Sequence, residues 1–210
     1  MKDVHFIAIE SMNFATGGVF NDVVLSVHRH HTAHADKKLQ LSFPEAVKTG
    51  FQKNLGRRAV IFGLKQDLEL FWSNNADDIE QTFSLVNEFG NPVQSLEKLI
   101  QNQPQAIIGH AICSRYRIKR QSRLLAEKID FLKSKGYSVD EKALIEQIKK
   151  RIAESPKTVE TIKMFSKTDQ KPMQLNVAIK DVKADAHVID PSTINSYGLS
   201  TTNIVPILRL

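Results

Sequence analysis

Four of the chain's seven histidines fall within seven positions, in the stretch VLSVHRHHTAH at residues 24–34. His30 and His34 stand four apart, so on a helix they would share a face, as paired metal ligands do. A metal site needs a third and a fourth ligand of suitable type. Close by, the sequence offers only Asp36, and a single cysteine, Cys113, leaves no cysteine-rich zinc site. No metal is therefore expected, and His30, His31 and His34 read as surface histidines. His28 differs. It lies one position beyond Val27, on the edge of an apolar stripe formed by Phe20, Val23, Val24 and Val27, which predicts a half-buried ring. A histidine's ordinary pKa of about 6.5 suits proton transfer at neutral pH. General acid–base work and a satisfied structural histidine both fit that position.

Other reactive patterns are missing from the sequence. It has no G-x-S-x-G elbow, no glycine-rich phosphate loop leading to a lysine, and no aromatic RNP motif. Charge is the next signal. The formal net charge is +6, yet residues 1–100 carry 10 Lys+Arg against 12 Asp+Glu, and residues 101–210 carry 19 against 11. No acidic residue occurs from Gln101 to Ala126, where Arg115, Arg117, Lys119, Arg120 and Arg123 crowd together. Such asymmetry is the footprint of a polyanion partner, with an ordinary solvated basic face as the alternative. One cysteine excludes an internal disulfide framework and suits a reducing cytosol. The stretch MKDVHFIAIE lacks a long apolar segment, and no apolar run approaches the roughly 20 residues of a spanning helix. A cytoplasmic protein without membrane attachment is expected.

These residues need elements to position them. HFIAIE reads as a strand, GGVFNDVVLSVHRHH as a helix, LQLSF and RAVIFGL as strands, and KQDLELFW as a short helix. That order is the opening of a ferredoxin-like β-α-β-β-α-β unit. IEQTFSLV is ambiguous between helix and strand. A boundary in the polar QNQPQ near Pro104 divides the chain into residues 1–103, the ferredoxin-like domain, and 104–210, a second α+β domain. The latter opens with the extended, increasingly basic AIIGHAICSRYRIK. RQSRLLAEKIDFLKSKG follows as an amphipathic helix closed by Gly136, with Arg120, Arg123, Lys128 and Lys135 opposite its apolar face. VDEKALIEQIKKRIAE forms a second helix capped by Asp140. TVETIKMFS and MQLNVAI alternate as strands, and AHVI and SYGLSTTNIVPIL read as further extended segments. The residues alone lead to an α+β nucleic-acid-binding protein, with nuclease activity open.

Three features carry a resemblance: LSFPEA, whose SFP begins fourteen residues after His28, the basic CSRYRIKRQSR leading into a helix, and the ending TIKMFSKTDQKPMQLNVAI followed by SYGLSTTNIVPIL. Their order and spacing resemble the CRISPR-associated endoribonuclease that processes precursor CRISPR RNA in type I-F systems. The resemblance implies an N-terminal ferredoxin-like (RRM-like) domain and a C-terminal domain with a basic RNA-binding helix. It implies cleavage at the base of a repeat hairpin without metal or other cofactor. It also implies retention on the mature crRNA beside other type I-F Cascade subunits. By position, the family's catalytic histidine falls on His28, its serine on Ser166 and its tyrosine on Tyr197, while its guanine-reading arginine matches Arg115. Two positions depart: Arg117 stands where the family uses glutamine, and Met173 where it stacks an aromatic under the hairpin. Glu127 also interrupts the basic helix face. Retained cleavage chemistry with an altered hairpin preference, on a divergent branch, is the expectation.

In that chemistry the substrate's own 2′-hydroxyl attacks the adjacent phosphorus, leaving a 2′,3′-cyclic phosphate and a 5′-hydroxyl. His28 would accept the proton, a contribution on the order of 10²–10⁴-fold. Ser166 would orient the ribose, and Tyr197 would fix the His28 ring through its hydroxyl. A strand-end serine and a buried core ring remain the bland readings of those two. Arg120, Arg123 and Lys128 suit phosphates, with Lys119 beside them, and Arg115 and Arg117 suit bidentate guanine contacts. A catalytically silent subunit that caps the crRNA hairpin is the alternative function, and a basic DNA-binding protein a third.

Overall fold

The computed structural model describes residues 3–12, 20–46, 55–86, 90–116, 121–153, 159–166, 171–184 and 186–210. Strand β1 (His5–Ser11) is buried along nearly its whole length, because it lies in the middle of a sheet. Its neighbours are β3 (Arg58–Gly63) on one side and β4 (Phe83–Leu85) on the other, with β2 (Gln40–Ser42) outside β3. The short β5 (Gln94–Ser95) also pairs with β1, at His5 and Phe6. All these pairs are antiparallel. Helices α1 (Asn21–Ala33) and α2 (Lys65–Glu80) connect β1 to β2 and β3 to β4. Strand order β2-β3-β1-β4 with these two helical crossovers is the ferredoxin-like arrangement.

Helix α1 forms despite three β-branched valines, which have modest helix propensity. Burial decides: Val23, Val24 and Val27 are fully enclosed. Helix α2 is longer than the short pattern in KQDLELFW suggests. It continues through SNNADD to Glu80 because Ile79, eight residues after Phe71, returns to the same buried face. The ambiguous IEQTFSLV is thereby split, its first residues ending α2 and Phe83–Leu85 forming β4. Helix α3 (Leu96–Asn102), capped by the Ser95 hydroxyl, is an element the sequence pattern did not single out.

The second sheet is also antiparallel, in the order β7-β8-β6-β9. It contains β6 (Ile107–Tyr116), β7 (Val159–Ser166), β8 (Lys171–Val182) and β9 (Val205–Leu208). Every strand of the first sheet precedes residue 104 and every strand of the second follows it. Both sheets nevertheless belong to one compact unit, Met1–Tyr116 with Thr158–Leu210. One apolar core runs from Phe6, Phe62 and Phe71 to Ile162, Leu175 and Val205. Two segments expected to be extended are not. AHVI makes only a bridge, Val188 to Ile204, and SYGLSTTN is a tight turn before β9. Gly198, at φ +73°, explains the second difference, since a positive φ breaks a strand.

The second compact unit, Arg117–Lys157, is a helical hairpin. Helix α4 (Gln121–Ser134) ends in a Schellman turn: the Tyr137 and Gly136 amides donate to the Leu132 and Lys133 carbonyls, with Gly136 at φ +76°. Helix α5 (Glu141–Ala153) is capped by Asp140, whose carboxylate accepts from the Lys142 and Ala143 amides at 3.0 and 3.2 Å. It buries Leu144 and Ile148. Among the described residues, no helix is long and apolar enough to cross a membrane.

Candidate active site

The turn at Asn195–Gly198 organises the site. The Asn195 side-chain oxygen accepts from the Tyr197 amide at 2.8 Å and the Leu199 amide at 3.3 Å, so one side chain closes the loop. The Gly198 amide donates to the Asn195 carbonyl at 3.0 Å. The Gly198 carbonyl in turn accepts from the Leu41 amide at 2.7 Å and the Gln40 side chain at 3.0 Å, hanging the turn on β2. A Cβ at Gly198 would lie 3.0 Å from Val27 and 3.1 Å from the Leu39 carbonyl, so glycine is also required by the close approach. The Ser200 amide ties the far side of the turn to the Cys113 carbonyl of β6 at 3.0 Å.

This turn grips one face of α1. His28 Nδ1 lies 3.2 Å from the Ser196 carbonyl oxygen, and its ring stacks on Tyr197 with centroids 4.5 Å apart and planes 14° from parallel. A carbonyl can only accept, so Nδ1 is the donor, and in the neutral ring this tautomer leaves the lone pair on Nε2. The half-buried ring thus carries a positioned proton acceptor. Tyr197 covers it with its ring face, and the neighbouring Ser196 carbonyl holds its Nδ1. The Arg115 guanidinium, near the end of β6, is 5.2 Å from the Tyr197 ring centroid, a cation–π contact. His28, Tyr197 and Arg115 are therefore brought together from three distant parts of the chain.

The remaining sequence candidates are placed less fully. Ser166 is the last residue of β7, paired opposite Lys171, and its side chain lies outside the described residues. Met173 of β8 pairs with Met164 and is half-buried against the core. Lys128 is exposed on α4, its ammonium 5.5 Å from the Phe131 ring. The side chain of Arg123, also on α4, and all of Arg117, Lys119 and Arg120 lie outside the described residues.

The family model of the CRISPR-associated protein Cas_Csy4 matches residues 4–208, almost the whole chain. This chain belongs to the Cas_Csy4 family. Members of that family are CRISPR endoribonucleases. A solved Cas6 product complex is 11% identical, with 93% of this chain and 85% of that chain covered and a TM-score of 0.23. No curated protein matches the chain in sequence.

In this Cas_Csy4 chain, two histidines are not where the sequence reading expected them. His30 and His31 are 4% and 3% exposed, not on the surface. The reason is that α1 is covered on more than its sheet-facing side. His30 packs edge-on to Phe71 of α2 at 5.6 Å and against His34 at 5.2 Å. His31 points at the Asn195–Gly198 turn, where its Nδ1 lies 3.2 Å from the Asn195 carbonyl. Its Nε2 accepts from the Leu39 amide at 2.7 Å. Burial, helped by the neighbouring His34 and Lys37, pushes His30 down to about 4. Burial, with Lys38 and His30, does the same to His31. Both are neutral at neutral pH. Among the described residues, no three His, Cys, Asp or Glu side chains are grouped to hold a metal ion. Sequence reasoning also missed Asn195 and the Ser196 carbonyl. The Asn and Gly of NSYG were the available turn signal.

Proposed function

We propose that the chain is a metal-independent endoribonuclease that binds the repeat hairpin of precursor CRISPR RNA and cuts at the base of its stem. The carrying observation is His28: Nδ1 is bonded to the Ser196 carbonyl and the ring is stacked on Tyr197, leaving Nε2 as a proton acceptor. In the proposed reaction the ribose 2′-oxygen bonds to the adjacent phosphorus as the bond from phosphorus to the 5′-oxygen breaks. His28 Nε2 takes the 2′-hydroxyl proton, and a proton returns to the departing 5′-oxygen. The products are a 2′,3′-cyclic phosphate and a 5′-hydroxyl. Ser166 orients the attacking ribose, and Arg115 meets the guanine at the stem base as a bidentate donor. Arg117 joins Arg115 in reading guanine, Arg120, Arg123 and Lys128 supply phosphate contacts with Lys119 beside them, and Met173 sits beneath the closing base pair. The chain then stays on the mature crRNA within a type I-F Cascade.

The test is a repeat RNA carrying one 2′-deoxy sugar before the scissile phosphate, incubated in chelator beside the all-ribose RNA. The ribose substrate should be cut to a cyclic phosphate end. The deoxy substrate should bind with unchanged affinity, since one hydroxyl is a small part of a phosphate-dominated interface, and remain intact. His28→Ala should behave with ribose RNA as wild type does with deoxy RNA. Cleavage of the deoxy RNA at the normal site makes water the nucleophile and removes the roles given to His28 and Ser166. Tight binding without any cutting leaves a hairpin-capping subunit.

A further inference from the structure

Successive histidines on one face of α1 meet successive carbonyls of one turn. His28 Nδ1 is 3.2 Å from the Ser196 carbonyl, and His31 Nδ1, three residues further along the helix, is 3.2 Å from the Asn195 carbonyl. The two rings differ in what their other nitrogens do. His31 is buried, and its Nε2 is occupied by the Leu39 amide at 2.7 Å. A backbone amide can only donate, so Nε2 must be the acceptor and Nδ1 must carry the proton. His31 is therefore fully bonded within the chain and has no valence left for substrate. His28 has one anchor and one free nitrogen.

We infer that His31 is a positioning residue, a clamp between the approach to β2 and the Asn195–Gly198 turn that fixes where the Ser196 carbonyl and the Tyr197 ring hold His28. This rests on the reading of His28 as the proton acceptor. The argument is geometric. A single 3.2 Å bond and a ring stack leave the His28 plane free to follow any shift of the turn. The turn's position along α1 is fixed by His31, because that ring is bonded at both nitrogens to separate segments. Without it the Leu39 amide and the Asn195 carbonyl lose their shared partner at the point where the turn meets the helix. The Gln40 and Leu41 bonds to the Gly198 carbonyl remain, so the turn would shift rather than detach. A displacement near 1 Å in a reacting group costs on the order of 10²-fold in rate.

The experiment uses the full chain and its repeat hairpin. His31→Leu fills the space without either hydrogen bond, and His31→Gln offers an amide that can accept from Leu39 and donate to Asn195. Single-turnover cleavage at saturating RNA should fall about 10- to 100-fold in His31→Leu while hairpin affinity changes less than twofold. His31→Gln should recover most of the rate. Nitrogen-15 shifts of the histidine rings supply a readout independent of activity and of any variant. In the wild type, both His28 and His31 should carry the proton on Nδ1, and in His31→Leu the His28 ring should become a mixture of tautomers. A wild-type His31 protonated on Nε2 overturns the clamp, even if His31→Leu fails to fold. So does a folded His31→Leu that cuts at the wild-type rate. A wild-type chain that cuts no hairpin overturns the functional reading instead, so the two failures are distinguishable.

Discussion

Two buried neutral histidines make the fold acid-sensitive in a definite window. His30 and His31 are held at about 4 against an ordinary 6.5, mainly by burial. As pH falls through 6.5 the unfolded chain takes up a proton at each, and the folded chain does not until about 4. The unfolded state therefore binds more protons between those values, and stability declines as pH drops. The contribution is complete above 6.5, is lost progressively down to about 4, and changes no further below that. From 6.5 to about 4, at roughly 1.4 kcal/mol per pH unit, each ring is worth on the order of 3 kcal/mol. The losses do not simply double, because His30 is itself among the groups that hold His31 down. Asp67 on the facing helix works the other way. Burial raises its pKa, against the pull of Lys37 and His34 and with the help of the Asp36 charge, so its proton uptake on acidification favours the folded state. Urea unfolding at pH 7, 6, 5 and 4.5 measures the sum. A fall of several kcal/mol is expected, and His30→Leu, which also removes a buried Nε2 without a hydrogen-bond partner, should lose about half of that slope. A flat profile between pH 6.5 and 4.5 would refute the burial argument for both rings.

Two further outcomes follow from the stack. Tyr197→Phe keeps the ring face and should cut within a few-fold of wild type in a single-turnover assay, whereas Tyr197→Ala should lose on the order of 10²-fold; equal losses would return the work to the hydroxyl. Arg115→Ala should cost roughly 1–3 kcal/mol in binding the cognate hairpin, the range for a bidentate guanine contact, and an equal loss on a scrambled stem would reduce Arg115 to a phosphate contact.

The first sheet was legible because β1 and β3 are short apolar runs and the valines of α1 repeat at helical spacing. That single-stripe logic is also what failed at His30 and His31. A helix in contact with a sheet, a second helix and a returning turn has three covered sides, and residues beside the stripe are enclosed by chain far away in sequence. The turn itself reads as strand because Tyr, Leu and Thr favour extended backbone, while its conformation is decided by Gly198 and the Asn195 side chain. Tyr197 reached the site only through the family resemblance. Nothing local to SYGLS says that the Tyr197 ring lies on His28, near the other end of the chain, and the composition of the stretch is equally that of a core segment.

The division into compact units sharpens what the charge asymmetry means. Arg117–Lys157 carries 12 Lys+Arg against 6 Asp+Glu, and the rest of the chain 17 against 17. The whole net charge of +6 thus resides in the helical hairpin, and the two-sheet unit that holds His28, Tyr197 and Arg115 is balanced. In the proposed function these are different jobs with different physics. Phosphate attraction is long-ranged, salt-dependent and tolerant of position, so it can be carried by a helical pair inserted between β6 and β7. Proton transfer tolerates no such looseness. Its histidine is accordingly set on a helix enclosed by the core and held by a carbonyl and an aromatic ring from a turn bonded to both sheets.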